Sequence, residues 1–76
     1  MTQAKAPCNA PLVHQIGARV RYFRQCRHLS QDRLAMAIGL TRQTVANVEQ
    51  GYHLCSIATL YDIAGALAVP IHELLP

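Results

Sequence analysis

The stretch QDRLAMAIGLTRQTVANVEQG, residues 31–51, decides the fold. It holds two short helical patterns around a glycine. Ser30 stands where an N-cap would stand, and Asp32 in the first turn suits the positive end of a helix dipole. Leu34, Ala35 and Ile38 recur at helical spacing and face inward. Gly39 ends this helix, since the residue after a helix often adopts positive φ. Thr41 then caps a second pattern, residues 41–50, which stops at Gly51. Each residue advances about 100° around a helix axis. Val45 and Val48 therefore share one side with Thr41 and Thr44. Arg42, Gln43, Ala46, Asn47 and Gln50 occupy an arc of about 140° on the other.

The outward set has a definite chemistry. Arginine offers two hydrogen bonds to guanine O6 and N7. Glutamine and asparagine offer the same to adenine N6 and N7, and alanine suits a thymine methyl. A merely solvated helix face tends to carry Glu/Lys pairs, and this face has none. Counted from Gln31, the small Ala35 is fifth, where the following helix must cross. Gly39 is ninth, at the turn. Val45 and Val48 plug the angle between the helices, and Leu34, Ile38 and Leu40 complete the wedge. A pair crossing at roughly 90–120° leaves its second helix protruding.

The remaining elements extend outward from this pair. Ile16, Val20 and Phe23 define the inner face of a helix from Leu12 to Arg27. Residues 1–11, broken by Pro7 and Pro11, read as a loose arm in which Lys5 is the group that would touch a partner. Ser56 caps a fourth helix whose inner face is Leu60, Ile63, Ala64 and Leu67. Pro70 can open a short fifth helix, IHELL. The expectation is an all-α, compact five-helix bundle over residues 12–76, with no strand and no internal repeat.

The chain has 76 residues, 51% of them hydrophobic, with one Phe and no Trp. It is one domain with an aliphatic core, and at this size only about 60% of the chain's surface is removed from water. The net charge of +3 gathers in the front half, where Arg19, Arg21, Arg24 and Arg27 precede Arg33 and Arg42. A basic front half suits a polyanionic partner. Three cysteines form no secreted-type framework. No apolar run reaches the roughly 18–20 residues a bilayer span needs. These features point to a reducing, cytoplasmic setting, with no membrane partner, no cofactor and no evident small-molecule ligand.

The segments IGARVRYFRQCRHLSQDRLAMAIGLTRQTVANVEQG and SIATLYDIAGALAVPIHELL together resemble the lambda-repressor/Cro-like helix-turn-helix domain, also called the xenobiotic-response-element family. The resemblance covers about four-fifths of the chain, in order and spacing. It implies a transcriptional regulator, usually a repressor or autoregulator, that binds double-stranded DNA as a homodimer with residues 41–50 in the major groove. It implies that Arg42, Gln43 and Asn47 read bases, with Thr44 and Ala46 beside them. Phosphate contacts fall to Gln31, Gln50, Tyr52, His53 and Ser56. Arg24 and Glu49 match a structural ion pair. Ile71, Leu74 and Leu75 match a dimerisation segment. The expected operator is an inverted repeat with half-sites about 10 bp apart. Two features depart from the family: the loop GYHLCS lacks basic residues, and His28 stands where a flexible residue is common.

Three other readings fit less of the chain. Cys26 and His28, with His53 and Cys55, form two short pairs that could bind a metal or sense redox state, though their spacing is not that of a standard finger. A protein-interaction or antitoxin-type module would suit the uncharged loop but not the polar reader face. An enzyme has least support: Asp32, Glu49, Asp62 and Glu73 are dispersed, and no glycine-rich phosphate loop is present.

Overall fold

The computed structural model describes residues 10–52 and 55–76. Four α-helices follow one another: α1 (Ala10–Cys26), α2 (Gln31–Ile38), α3 (Arg42–Gln50) and α4 (Ile57–Leu67). A single 3₁₀ turn, Ile71–Leu74, follows them. The expected fifth α-helix is therefore this turn. Pro70 precedes it with no side-chain cap, and one turn is too short to sustain an α-helix on its own. The first helix begins at Ala10, two residues ahead of the expected Leu12. Pro11 is no obstacle, because the first turn of a helix needs no amide donor there. Residues 1–9, which hold the rest of the expected arm and Lys5, lie outside the described residues.

Local chemistry sets the helix limits. Ser30 Oγ accepts from the Arg33 amide at 3.0 Å, Thr41 Oγ1 from Thr44 at 3.2 Å, and Ser56 Oγ from Thr59 at 3.1 Å. Gly39 and Gly51 close α2 and α3 at φ values of 72° and 75°. Both sit in the left-handed region that glycine enters without strain. The other two α-helices end in the same conformation without glycine, at His28 (φ 58°) and Ala68 (φ 59°).

The core lies where the helices meet. Ile16 and Val20 of α1, Leu34 and Ala35 of α2, and Val45 and Val48 of α3 converge with Leu60, Ile63, Ala64 and Leu67 of α4. Leu74 of the 3₁₀ turn closes the base. Each fully buried leucine stabilises the fold by about 1.5–3 kcal/mol relative to exposure. Phe23 and Ile38, expected inside, are only partly buried against this cluster, and Leu40 stands at its exposed margin. Helix α3 packs against both α1 and α2, while α4 rests on α2 and the 3₁₀ turn. One face of α3 is thereby held from two sides and the other is left to solvent.

Candidate nucleic-acid interface

The helical arc divides as its spacing requires. Val45 and Val48 are buried, whereas Arg42, Gln43 and Gln50 are exposed and Ala46 and Asn47 half-buried. Gln43 Nε2 donates to Asn47 Oδ1 at 3.0 Å, so two of the outward side chains are joined to each other. Thr44 is half-buried and its hydroxyl lies 2.9 Å from that of Thr41, which ties it to the start of the helix.

An ion pair fixes how α3 sits on α1. Arg24 Nε donates to Glu49 Oε2 at 2.6 Å and Arg24 Nη2 to Glu49 Oε1 at 3.1 Å. Two parallel bonds of this kind add geometric specificity to charge attraction. Arg24 Nη1 also donates to the Leu29 carbonyl at 2.8 Å, and the Glu49 side chain is only 2% exposed. Gln31 Nε2 donates to Glu49 Oε1 at 3.1 Å. The starts of α2 and the end of α3 are thus bound to α1 through one neutralised carboxylate. This network leaves no uncompensated negative charge at the exposed margin of α3.

The residues expected to meet phosphate divide more unevenly. Tyr52 and Gln50 are exposed. Gln31 is half-buried, with one amide hydrogen committed to Glu49. The Ser56 hydroxyl lies 3.1 Å from the Thr59 hydroxyl while it caps α4. His53 lies outside the described residues. The arginine cluster is less available than its density in the chain implies. Arg27 Nε donates to the Leu67 carbonyl at 2.8 Å and Arg27 Nη2 to the Ala68 carbonyl at 3.2 Å. Those carbonyls are the unpaired end of α4, where a cation is favoured. Arg19 Nη1 donates to the Glu73 carbonyl at 3.2 Å. Three of the six arginines therefore hold the fold together, and Arg21, Arg33 and Arg42 remain exposed.

The expected dimerisation residues sit at the base of the core. Leu74 is fully buried within the chain. Ile71 and Leu75 are partly buried against the same core. The large apolar side chains left in solvent lie elsewhere, including Ile57 and Tyr61 one turn apart on α4. Among the described residues no three His, Cys, Asp or Glu side chains gather as metal ligands. Cys26 is exposed, and Cys55 is half-buried against the core. No described helix is long and apolar enough to cross a membrane.

Two residues of this assembly carry no obvious sequence signal. A Cβ on Gly17 would sit 2.3 Å from the Val48 carbonyl oxygen and 2.7 Å from that of Glu49. Glycine there lets the backbones of α1 and α3 touch. Just beyond, at the C-cap of α3, a Cβ on Gly51 would sit 2.5 Å from His14 Nδ1, so the imidazole of α1 covers the cap of α3. A glycine inside an amphipathic helix, at IGARV, is the one hint of the first contact. The second has none.

The sequence and the fold both match known proteins. A helix-turn-helix family model, HTH_3, matches residues 20–74. An uncharacterised transcriptional regulator from the ATPase CF(0) region of Rhodospirillum rubrum is 46% identical over 56 residues, which is 74% of this chain and 52% of that protein. The chain thus spans about half the length of that relative. The restriction-modification controller protein C.AhdI from Aeromonas hydrophila superposes with a TM-score of 0.80 at 35% identity, over 83% of this chain and 96% of its own. The biofilm master regulator SinR, solved in complex with DNA, superposes with a TM-score of 0.74 at 27% identity, over 78% of this chain and 95% of its own. The chain belongs to the HTH_3 family, the Cro/C1-type helix-turn-helix domains of transcriptional regulators.

Proposed function

We propose that this protein is a sequence-specific DNA-binding regulator, acting as a repressor or autoregulator, which binds an inverted-repeat operator as a homodimer. Helix α3 enters the major groove. Arg42, Gln43, Ala46 and Asn47 meet base edges, with Thr44 at the margin. Gln31, Gln50, Tyr52, His53 and Ser56 meet the flanking phosphates, Gln31 and Ser56 chiefly through backbone amides at helix N-termini. The observation that carries the reading is the division of α3. Its apolar side is locked by Val45, Val48 and the Arg24–Glu49 pair, while a polar face free of acidic groups stands in solvent.

The dimer reading needs a surface that leaves α3 free. Ile57 and Tyr61, each 69% exposed, form an apolar stripe on α4 that a two-fold partner could cover. Ile71 and Leu75 contribute their exposed edges, and Leu74 supports them from within. The R. rubrum and SinR proteins lend the reading their classes: a transcriptional regulator and a protein crystallised on DNA.

Selection of bound sites from a random DNA pool tests all of this together. The expected product is a palindromic pair of half-sites about 10 bp apart, centre to centre. Recovery of unpaired or unrelated sequences would overturn it.

A further inference from the structure

We infer that His14 of α1 is a DNA-backbone contact, which holds a phosphate beside the turn that follows α3 and supplies the charge that turn lacks. The inference rests on the proposed seating of α3 in the major groove and deepens it. The turn is poor in cations. Its sequence, GYHLCS, holds no Lys or Arg, although Gln50 and Tyr52, on either side of Gly51, stand exposed. The end of α3 adds partial negative charge, because its last carbonyls form the negative pole of the helix. A phosphate settles there only if a donor reaches it from another element.

The packing of α1 brings that donor. Gly17 lies against the Val48 and Glu49 carbonyls, and His14 stands one turn earlier on the same side of α1. Its imidazole lies over Gly51. A Cβ there would meet His14 Nδ1 at 2.5 Å and both Cγ and Cε1 at 3.0 Å. Those three atoms are one edge of the ring, so Nε2, on the other edge, stays clear of the glycine. Turning the ring by half a rotation exchanges the nitrogens and still leaves one of them clear. His14 is exposed, so that nitrogen faces no obstacle from Gly51. Nothing charged near it competes for the imidazole. Ala10, Pro11, Gly17 and Ala18, its neighbours along α1, carry no charge. On α3, Glu49 is already paired with Arg24. In the turn, Tyr52 brings a phenol and Cys55 packs against the core. Arg19 and Arg27 are held by carbonyls of the 3₁₀ turn and α4. An imidazole N–H donates to a phosphate oxygen, and the anion favours the protonated ring.

The test titrates the full chain with its selected operator across salt concentration, at about pH 6 and about pH 8. Histidine is the side chain that ordinarily changes charge over this interval. One phosphate contact contributes about 0.9 to the slope of log affinity against log salt, or about three- to fourfold between 50 and 200 mM. The wild-type slope should be shallower at the higher pH by up to that amount. His14→Gln should show the shallow slope at both, and His14→Arg the steep one at both. His53→Gln, at the other histidine of the region, should keep the wild-type difference. His14→Gln should also weaken all sites alike and leave the consensus unaltered, as loss of a backbone contact does. Thermal melts without DNA separate binding from capping. A His14→Gln defect confined to the melts, with wild-type salt slopes, makes the imidazole a cover for α3 and overturns the inference. So does a wild type indifferent to pH, or a pH response that survives in His14→Gln or vanishes in His53→Gln. Each of these leaves DNA reading by α3 intact. Absence of selective binding at either pH would overturn both.

Discussion

Replacing Gly17 by alanine adds one carbon at the closest approach of α1 and α3. That carbon would meet the Val48 carbonyl oxygen at 2.3 Å, the Glu49 oxygen at 2.7 Å and the Glu49 carbonyl carbon at 3.0 Å. All three are backbone atoms, so no rotamer change relieves them. Carbon–oxygen contacts across helix interfaces settle at about 3.3–3.6 Å, so α1 must withdraw by about 1 Å. Overpacking of this kind costs about 1–3 kcal/mol, and a rigid backbone contact belongs at the upper end. Alanine returns up to about 1 kcal/mol in helix propensity. The net loss is about 1–2 kcal/mol, against a total stability of about 4–11 kcal/mol for a chain of this length. Melting followed by circular dichroism should fall by about 4–16 °C. Gly65 supplies the control. It also sits inside a helix, but a Cβ there meets nothing within 4 Å. Gly65→Ala should raise the melting temperature, the same chemical change having the opposite sign. A Gly17→Ala protein that melts at or above the wild type would refute the close-contact reasoning.

Three further perturbations probe other parts of the structure. Glu49→Ala strands the Arg24 guanidinium, whose side chain is 11% exposed, and should cost about 3–5 kcal/mol. Its melting temperature should drop sharply while the bound-site consensus stays the same, and a changed consensus at equal stability would contradict a bracing role. Ala68 holds a left-handed φ of 59° at the end of α4, which costs an L-residue about 1–2 kcal/mol. Ala68→Gly loses part of that gain to chain entropy and should still stabilise by about 0.5–1 kcal/mol in denaturant titration. Burial pushes the Cys55 thiol pKa up, which disfavours the reactive thiolate. In a Cys8→Ser background, alkylation at neutral pH should label Cys26 well before Cys55, and the Cys55 rate should climb only at more alkaline pH. Equal rates at neutral pH would argue against the half-buried placement.

Much of the fold can be read in the chain because its determinants are local. Ser30, Thr41 and Ser56 cap because a side-chain oxygen reaches an amide three residues on. Gly39 and Gly51 end helices because they enter positive φ without strain. Val45 and Val48 turn inward because helical periodicity places them together. The fifth helix fails on the same local grounds, since IHEL is one turn behind a proline. Residues 53 and 54, and with them the expected contact of His53, fall outside the described part of the loop.

Other assignments depend on which distant groups meet. Arg27 and Arg19 look like surface charge in the sequence, but α4 and the 3₁₀ turn bring carbonyls to them across 40 and 54 residues. Leu74 looks like a spare apolar group until the helices form the hollow that it fills. Gly17 is an ordinary weak spot in a helix until α3 lies on it. Periodicity and capping act over one or two turns, so the four α-helices, most of their inner faces and the polar face of α3 are legible in the chain, while the 3₁₀ form of the last turn is not. Hydrogen-bond partners and close backbone contacts are properties of the packed arrangement. Tertiary structure therefore decided which arginines brace the fold and which leucine is core.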